Sequence, residues 1–420
     1  MPKITKIESF EILDSRGNPT IEVEITLDNK IKWSAKVPSG ASTGAHEALE
    51  MRDWDISRYK WNWVLKAIKN IDTIISGNIV WKVFWTFREL DKILLKLDWT
   101  PNKSKLWANA ILWLSLAFTK ACANYENIEL YQYIRNIISD EFNIDDDFIL
   151  PIPMMNIING WEHADNSLDF QEFIIVPIWF ETLAEKVQVW TEVFHCLKSI
   201  LKEKWLATSV GDEGGFAPNI SSNKKAIEIV IQAIEKSWYS TNDVKISLDV
   251  AASEFYEKGK YKLVWEWVEY NSDELITYYS ELVDKYPIFS IEDWLDEDDF
   301  EGWAQLQAKL WAKVKLVWDD LFVTNIERLQ MWIDKKIANS ILIKLNQIGT
   351  LSETLDAILL AKDNNMISII SHRSWETSDT FIADLVVATH SWYIKTWSLS
   401  RSERVEKYNR LMRIEREVSK

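Results

Sequence analysis

The amino-acid sequence predicts an α/β protein in which an N-terminal α+β domain is followed by a (β/α)8 TIM-like barrel. Two runs of alternating apolar residues, 7–13 and 20–27, flank the turn-forming segment DSRGNP and predict a β-hairpin. Helical periodicity follows as far as residue 138. After residue 150, strand-like runs alternate with helical runs over about 270 residues, which is the usual size of such a barrel.

The strand-like runs of the second half are short and apolar, and they cover residues 173–176, 244–248, 289–291, 314–317, 341–343 and 367–370. A doubly wound open sheet would alternate in the same way, but no G-x-G-x-x-G segment follows the early strands. The acidic stretch 140–147 predicts a linker. We therefore predict a capping domain over residues 1–138 and a barrel with the catalytic site over residues 148–420.

The composition excludes several classes of protein. A chain with 47% hydrophobic and 27% charged residues is neither disordered nor of low complexity. The net charge of −16 argues against nucleic acid or an anionic membrane as the main partner. Cys122 and Cys196 are too few for a disulfide framework. No apolar run is long enough for a membrane span, and the first residues lack the apolar core of a signal peptide, so a cytoplasmic location is expected.

Tryptophan and glycine occur in unusual numbers, with 24 Trp and 11 Gly in 420 residues. Average usage would give about 29 Gly. Trp99, Trp205, Trp238 and Trp311 stand at the ends of predicted helices, where glycine is favoured because it enters the left-handed region cheaply. An aromatic-rich protein is the alternative. We hypothesise that most of these positions are glycine in the cell, encoded by UGA, which some bacterial codes read as glycine and others as tryptophan.

Charged residues follow the apolar strands of the second half at the point where each strand ends. They are Asp249, Glu292, Asp319, Lys344, His372 with Arg373, and Lys395. One such carboxylate is often a helix cap, but a whole series at successive strand ends is difficult to explain by capping. In a barrel these side chains converge on the C-terminal face, where active sites lie.

Three converging carboxylates without a nearby cysteine suit a hard cation such as Mg²⁺. Lysines facing a metal site are unfavourable unless one of them has a lowered pKa or meets an anion. The combination indicates proton abstraction next to a carboxylate, in which a lysine takes the proton and the metal stabilises the charge that develops.

Eight segments, in order along the chain, resemble the enolase family, the phosphopyruvate hydratases of glycolysis. They are DSRGNPT (14–20), PSGASTG (38–44), NGWEHADN (159–166), FQEF (170–173), SVGDEGGFAP (209–218), LNQIGT (345–350), SHRS (371–374) and IKT (394–396). The resemblance covers essentially the full length. It implies a barrel of the enolase type and the Mg²⁺-dependent, reversible dehydration of 2-phosphoglycerate to phosphoenolpyruvate.

The resemblance also implies catalytic roles. Lys344 corresponds to the base that removes the C2 proton, and Glu213 to the acid that protonates the leaving hydroxyl group. His163 and Glu172 correspond to the family's remaining active-site pair, with His163 also contacting substrate. Gln171 corresponds to a residue that touches substrate.

Binding roles follow in the same way. Asp249, Glu292 and Asp319 would hold one Mg²⁺, and Ser42, in the family's mobile loop, would join a second Mg²⁺ that arrives with the substrate. The substrate phosphate and carboxylate would be bound by His372, Arg373, Ser374 and Lys395.

Four tryptophans lie beside these residues at positions where the family carries glycine, namely Trp161, Trp318, Trp375 and Trp397. By resemblance, all but Trp303 of the 24 Trp stand at glycine or glycine-tolerant positions. The preferred hypothesis is therefore a working hydro-lyase whose tryptophans are mostly glycine in the cell. The alternatives are an inactive relative that serves as a binding protein, if the tryptophans are real, or an acid-sugar dehydratase of the wider superfamily. The resemblance further implies a homodimer or an octamer of dimers, and a surface or secreted form in addition to the cytoplasmic one.

Overall fold

The computed structural model describes residues 2–40, 46–53, 55–144, 147–319, 321–335 and 337–419. The predicted hairpin is confirmed, because β1 (Ile4–Leu13) and β2 (Pro19–Leu27) pair antiparallel, and β3 (Ile31–Lys36) extends the sheet. The carboxylate of Asp14 closes the turn by accepting the backbone N–H groups of Arg16 at 2.8 Å and Asn18 at 2.9 Å. This use of a short polar side chain is typical of Asp in turns.

Helices cover one face of this sheet. The central helix is apolar on nearly every side and is buried over most of its length, where it packs on β2 and β3. A π-helical segment, Asn70–Ile75, joins the first two helices. Among the residues described up to 144, the α-helices are α1 (Leu65–Lys69), α2 (Ser76–Ile79), α3 (Phe87–Asp98), α4 (Ala108–Glu126) and α5 (Leu130–Phe142).

The rest of the chain forms a closed barrel of eight strands, which confirms the predicted fold class and excludes the open sheet. The strands of this part of the chain, including three outside the barrel, are β4 (Ile152–Asn159), β5 (Glu172–Pro177), β6 (Val244–Asp249), β7 (Tyr256–Glu257), β8 (Lys260–Leu263), β9 (Val268–Tyr270), β10 (Ile288–Glu292), β11 (Lys315–Trp318), β12 (Ser340–Ile343), β13 (Ile367–Ser371) and β14 (Tyr393–Lys395). β7 to β9 form a separate small sheet, and β14 pairs with β4 to close the barrel. The division of the chain at residues 138 and 148 stays a prediction.

One strand departs from simple strand–helix alternation. β5 runs antiparallel to both β4 and β6, whereas the other neighbouring strands of the barrel are parallel. The segment 160–171 contains only a short 3-10 helix, Trp161–His163, and an antiparallel neighbour needs no helical crossover. The first residue of β5, Glu172, therefore lies at the same rim as the last residue of β6, Asp249.

The outer layer of the barrel consists of helices that bury an apolar face on the strands. They are α6 (Leu183–Glu203), α7 (Asn223–Lys236), α8 (Ser272–Lys285), α9 (Phe300–Leu310), α10 (Ile326–Lys335), α11 (Leu345–Ile348), α12 (Leu351–Asp363), α13 (Phe381–Ala388) and α14 (Ser402–Val418). Capping boxes begin α6 and α8, with Thr182 and Asn271 as the N-cap residues. Within the described ranges, no helix has the length and apolar character that a membrane span requires.

Tryptophans occupy backbone conformations that favour glycine. Nine of the tryptophans that the structure describes have a positive φ, between 46° and 83°, and these are Trp61, Trp81, Trp99, Trp107, Trp161, Trp205, Trp238, Trp267 and Trp397. Trp205 and Trp238 are 95% and 96% exposed, so packing does not explain a large aromatic there. The predicted left-handed ends are thus confirmed at Trp99, Trp205 and Trp238. The prediction was wrong at Trp311, whose φ of −47° continues the right-handed turn of α9.

Four indoles crowd together beneath the barrel rim. The ring centroids of Trp294 and Trp318 are 4.2 Å apart, as are those of Trp303 and Trp318, whereas aromatic pairs usually lie 4.5–7 Å apart. The indole N–H groups of Trp294, Trp303, Trp318 and Trp332 are buried without a hydrogen-bond partner in the described part of the chain. A buried indole N–H usually finds an acceptor. The short ring distances and the missing acceptors therefore indicate that this space is too small for four indoles.

A buried carboxyl group connects the N-terminal helices to the barrel and predicts a pH-dependent stability. Asp91 of α3 accepts hydrogen bonds from the N–H of Ser352 at 2.9 Å and from its hydroxyl at 2.6 Å, at the first turn of α12. Burial raises the pKa of Asp91 from 3.8 to about 6, although these hydrogen bonds oppose the shift. The folded chain therefore holds more protons than the unfolded chain between pH 4 and 6, and this group destabilises the fold as the pH rises through that window.

Asp91→Asn is accordingly expected to increase the free energy of unfolding at pH 8 by about 1–3 kcal/mol and to leave it nearly unchanged at pH 4. Urea unfolding at both pH values measures the difference. Asp363→Asn, an exposed change on α12, serves as the control. An equal effect of Asp91→Asn at the two pH values would contradict the assignment of this titration to Asp91.

Candidate active site

The predicted site residues converge at one rim of the barrel because parallel strands end at the same edge. Asp249, Glu292 and Lys395 are the last residues of β6, β10 and β14. Asp319, Lys344 and His372 directly follow β11, β12 and β13. Glu172 reaches the same rim from the reversed strand β5.

Lys395 lies at the centre of three buried carboxylates. Its Nζ is 2.7 Å from Asp249 Oδ2, 2.9 Å from Glu292 Oε1 and 3.1 Å from Glu172 Oε1. Burial opposes the charge on Lys395, but these carboxylates, Asp249 foremost, raise the pKa of the ammonium group well above its ordinary value. The same ion pairs lower the pKa of Asp249, although burial acts against ionisation. Lys395 is therefore held as a cation.

The other two carboxyl groups of this cluster are harder to ionise. Burial, followed by the charge of Asp249, raises the pKa of Glu292 well above its ordinary value. Burial, followed by the charge of Glu213, does the same to the pKa of Glu172. The carboxylates outnumber the ammonium groups, and further positive charge would let more of them ionise.

Lys344 forms an ion pair with Asp319 Oδ2. The other oxygen of Asp319 accepts a hydrogen bond of 2.9 Å from the side-chain amide of Gln347. The backbone N–H of Lys344 donates to the hydroxyl of Thr324 at 2.9 Å, which anchors the residue at the end of β12. Lys344 is thus fixed at the rim with its amine against one of the predicted metal ligands.

On another side of the cavity, Glu213 is bound by three side chains. Its Oε1 lies 3.0 Å from His163 Nε2, and its Oε2 accepts from the amides of Asn156 at 2.9 Å and Asn159 at 2.6 Å. Burial would lower the pKa of His163, but the charge of Glu213 and their hydrogen bond raise it above its ordinary value. The glycine at 215 fits closely against β4, since a Cβ there would lie 2.9 Å from Asn159 Oδ1. The two asparagines and the glycine place this carboxyl group.

The guanidinium of Arg373 is buried and hydrogen-bonded to Glu47 Oε2 and Asn346 Oδ1, each at 2.9 Å. Burial opposes its charge, but Glu47 raises the pKa of Arg373 above its ordinary value, so it is a permanent cation. His372 differs, because burial and then the charge of Arg404 lower its pKa well below the usual range. Arg373 therefore offers a fixed positive charge beside the neutral imidazole of His372.

One cavity brings most of the predicted site residues together. Its lining includes His163, Gln171, Glu172, Glu213, Asp249, Asp319, Lys344, His372, Arg373, Ser374 and Lys395. Glu292 does not line this cavity but contacts it through Lys395. Ser42 lies outside the described residues. The roles of these residues stay predictions, while their proximity is a property of the fold.

Oxygen ligands for a divalent cation are present at this rim. Glu292, Asp293 and Asp319 each offer a carboxylate oxygen, and these oxygens lie within 4.8 Å of one another. Asp249, the third ligand in the predicted set, binds Lys395 instead. Glu172 Oε2 is buried and accepts no hydrogen bond from the described residues. Hard oxygen donors and an unsatisfied buried carboxylate oxygen fit a cation such as Mg²⁺.

Sequence reasoning missed several residues of the cavity and its support. Asn156 and Asn159 bear a signal that was available, since they are the polar residues of an otherwise apolar, buried strand. Asp293 and Glu254 also line the cavity, and Asp293 directly follows the predicted ligand Glu292. No local pattern indicates Glu47, because its partner Arg373 lies at the other end of the chain.

Two protein-family models match the chain, and together they cover nearly all of it. The model described as the enolase N-terminal domain matches residues 4–134. The model described as the enolase C-terminal TIM barrel domain matches residues 147–420.

Proposed function

The chain belongs to the enolase family, and on this basis we propose that it catalyses the reversible dehydration of 2-phosphoglycerate to phosphoenolpyruvate in glycolysis and gluconeogenesis. The observation that carries this proposal is the cavity at the barrel rim. It is lined by the amine of Lys344, the His163-bound carboxyl group of Glu213 and the guanidinium of Arg373. A base, an acid and a fixed cation are what the elimination of water from an anionic substrate requires.

The chemistry divides between two residues. Lys344 takes the C2 proton, and Glu213 delivers a proton to the leaving hydroxyl group. His163 and the amides of Asn156 and Asn159 orient Glu213. To act as a base, Lys344 must be neutral, so the ion pair with Asp319 has to open before the proton is taken.

The substrate carries two anionic groups, and the cavity offers two cationic regions. Arg373 and Ser374 bind the phosphate, the guanidinium through its planar donor fork. Lys395 binds the carboxylate, while Gln171, His163 and His372 contact the rest of the substrate. An acid sugar without a phosphate would leave the Arg373 region unused. Phosphoglycerate turnover compared with acid-sugar turnover distinguishes this function from that of a superfamily acid-sugar dehydratase.

We propose two Mg²⁺ ions per active site, the first held by Asp249, Glu292 and Asp319 and the second joined by Ser42 when substrate binds. When bound, Mg²⁺ would supply positive charge that offsets the carboxylates of these residues and the negative charge that develops on the substrate carboxylate. The excess of carboxylates around Lys395 supports this proposal.

Glu292→Gln is expected to weaken Mg²⁺ binding about 100-fold or more, because it removes one hard anionic ligand. Isothermal titration with Mg²⁺ alone measures the affinity without substrate. Asp249→Asn and Asp293→Asn distinguish the proposed set, in which Asp249 joins Glu292 and Asp319, from the set in which Asp293 joins them. The proposed set predicts a large loss for Asp249→Asn and a small one for Asp293→Asn. Unchanged Mg²⁺ affinity in Glu292→Gln would rule out the site.

We also propose that glycine replaces tryptophan in the cell at every Trp position except 303. The positive φ angles and the crowded indole cluster support this. If the tryptophans were real, the chain would be better explained as an impaired relative with a binding role.

We further propose a cytoplasmic homodimer or octamer of dimers, with an additional surface or secreted form. Gel filtration with light scattering tests the oligomeric state.

A further inference from the structure

A buried arginine holds the main chain at the start of the segment 373–377, which contains the proposed phosphate-binding residues Arg373 and Ser374. Arg404 lies in the first turn of α14, and its side chain is fully buried. Its Nη1 donates to the carbonyl oxygen of Arg373 and its Nη2 to that of Ser374, both at 2.8 Å. The two prongs of one guanidinium thus bind two successive carbonyls, a geometry that a lysine ammonium cannot reproduce.

The same helix holds the other end of this segment through Glu376. Glu376 Oε1 accepts from the backbone N–H of Arg373 at 3.3 Å, and its Oε2 lies 2.9 Å from Lys407 Nζ. Lys407 also donates to the carbonyl of Thr377 at 3.1 Å. Residues 373–377 are therefore fixed to α14 by main-chain contacts on both sides. The Arg404 guanidinium also lies over the Trp397 ring, 4.0 Å from its centroid.

Arg373 is held at both its backbone and its guanidinium. Its backbone is held by Arg404 and Glu376, and its tip by Glu47 and Asn346. Burial lowers the pKa of Arg404 to about 10, which still leaves it charged at neutral pH. A displacement of about 1 Å in a residue that positions substrate costs up to about 100-fold in catalytic efficiency.

We propose that Arg404 is a positioning residue for the substrate phosphate, acting through the carbonyls of Arg373 and Ser374. This inference rests on the proposed function, because it assigns the phosphate to those two residues. It adds a residue of α14 that touches no substrate and yet sets the affinity for the anion.

Arg404→Lys in the full-length chain tests the proposal, since it keeps the charge and removes the fork. The KM for 2-phosphoglycerate and the Kd for inorganic phosphate are expected to rise about 10- to 100-fold, with kcat changed by less than about 3-fold. Arg410→Lys is the matched control. It makes the same change on the same helix, but Arg410 pairs with Asp384 at 2.6 Å and Glu129 at 2.7 Å, away from the segment. It should lower the thermal midpoint without raising either constant.

Two further measurements keep the test decisive. If Arg404→Lys does not fold, Glu376→Gln provides a second test. It removes the charge between Arg404 and Lys407 and should also raise the Kd for inorganic phosphate. Arg373→Lys combined with Arg404→Lys should cost less than the product of the single effects, because both act through one guanidinium. Arg404→Lys with an unchanged phosphate Kd and a lowered thermal midpoint would overturn the proposal. Inactivity of the parent chain toward 2-phosphoglycerate would count against the proposed function, while the phosphate Kd of the variants would still decide the role of Arg404.

Discussion

Lys344→Ala is expected to lower turnover of 2-phosphoglycerate by about 10⁴-fold and to abolish exchange of the C2 proton with solvent. Two lysine amines line the cavity, and Lys395 is held charged by three carboxylates. Lys344 forms an ion pair with Asp319 at the end of β12. We therefore assign the role of base to Lys344, because Lys395 is bound to three carboxylates and serves as a fixed cation.

Glu213→Gln is the informative control for this experiment. It removes the acid that the leaving hydroxyl group needs but leaves the base in place. Proton exchange at C2 should therefore continue in Glu213→Gln while dehydration fails, whereas Lys344→Ala should lose both. Exchange measured by deuterium incorporation separates the two steps, and isothermal titration should show that Mg²⁺ still binds to both variants. C2 exchange that persists in Lys344→Ala would remove Lys344 from the role of base.

Protein isolated from its own cells is expected to be about 3 kDa lighter than a chain with 24 tryptophans, because 23 of them would be glycine. The physical reason is the backbone. A backbone with positive φ costs a residue with a side chain about 1–2 kcal/mol, so the nine tryptophans in this conformation together cost about 9–18 kcal/mol. This is comparable with the whole stability of a typical domain, about 5–15 kcal/mol.

Intact-mass spectrometry measures the difference, and peptide spectra identify the residue at each position. The gene sequence provides an independent check, since a TGA codon is expected at every tryptophan position except Trp303. TGG codons at Trp161, Trp318 and Trp375 would refute the hypothesis. Two synthetic genes offer a functional comparison, one with glycine at the 23 positions and one with tryptophan throughout. The glycine version should be the more stable and the more active.

The resulting composition would be ordinary. Glycine would account for about 8% of the chain, close to average usage. The crowded indoles of Trp294, Trp318 and Trp332 would disappear, and of the four indoles only that of Trp303 would remain. Trp311 shows that a positive φ is not required at every such position.

Local patterns in the sequence determined the elements and the set of chemically important residues. Alternation in residues 7–13 and 20–27 predicts β1 and β2, because successive side chains of a strand point to opposite faces of the sheet. Asp249, Glu292, Lys344 and Lys395 could be selected because each ends or follows an apolar strand, and parallel strands share one edge.

Only the tertiary structure decided which of these groups touch one another. The reversal of β5, which brings Glu172 beside Asp249, depends on strand pairing. The contact of Arg373 with Glu47 joins residues 326 positions apart, and the fork of Arg404 reaches back from α14 to the carbonyls after β13. Such contacts depend on how helices and strands pack, and packing is a property of the whole chain. Propensity and periodicity act over a few residues, so they identify the acid, the base and the cations without arranging them into a site.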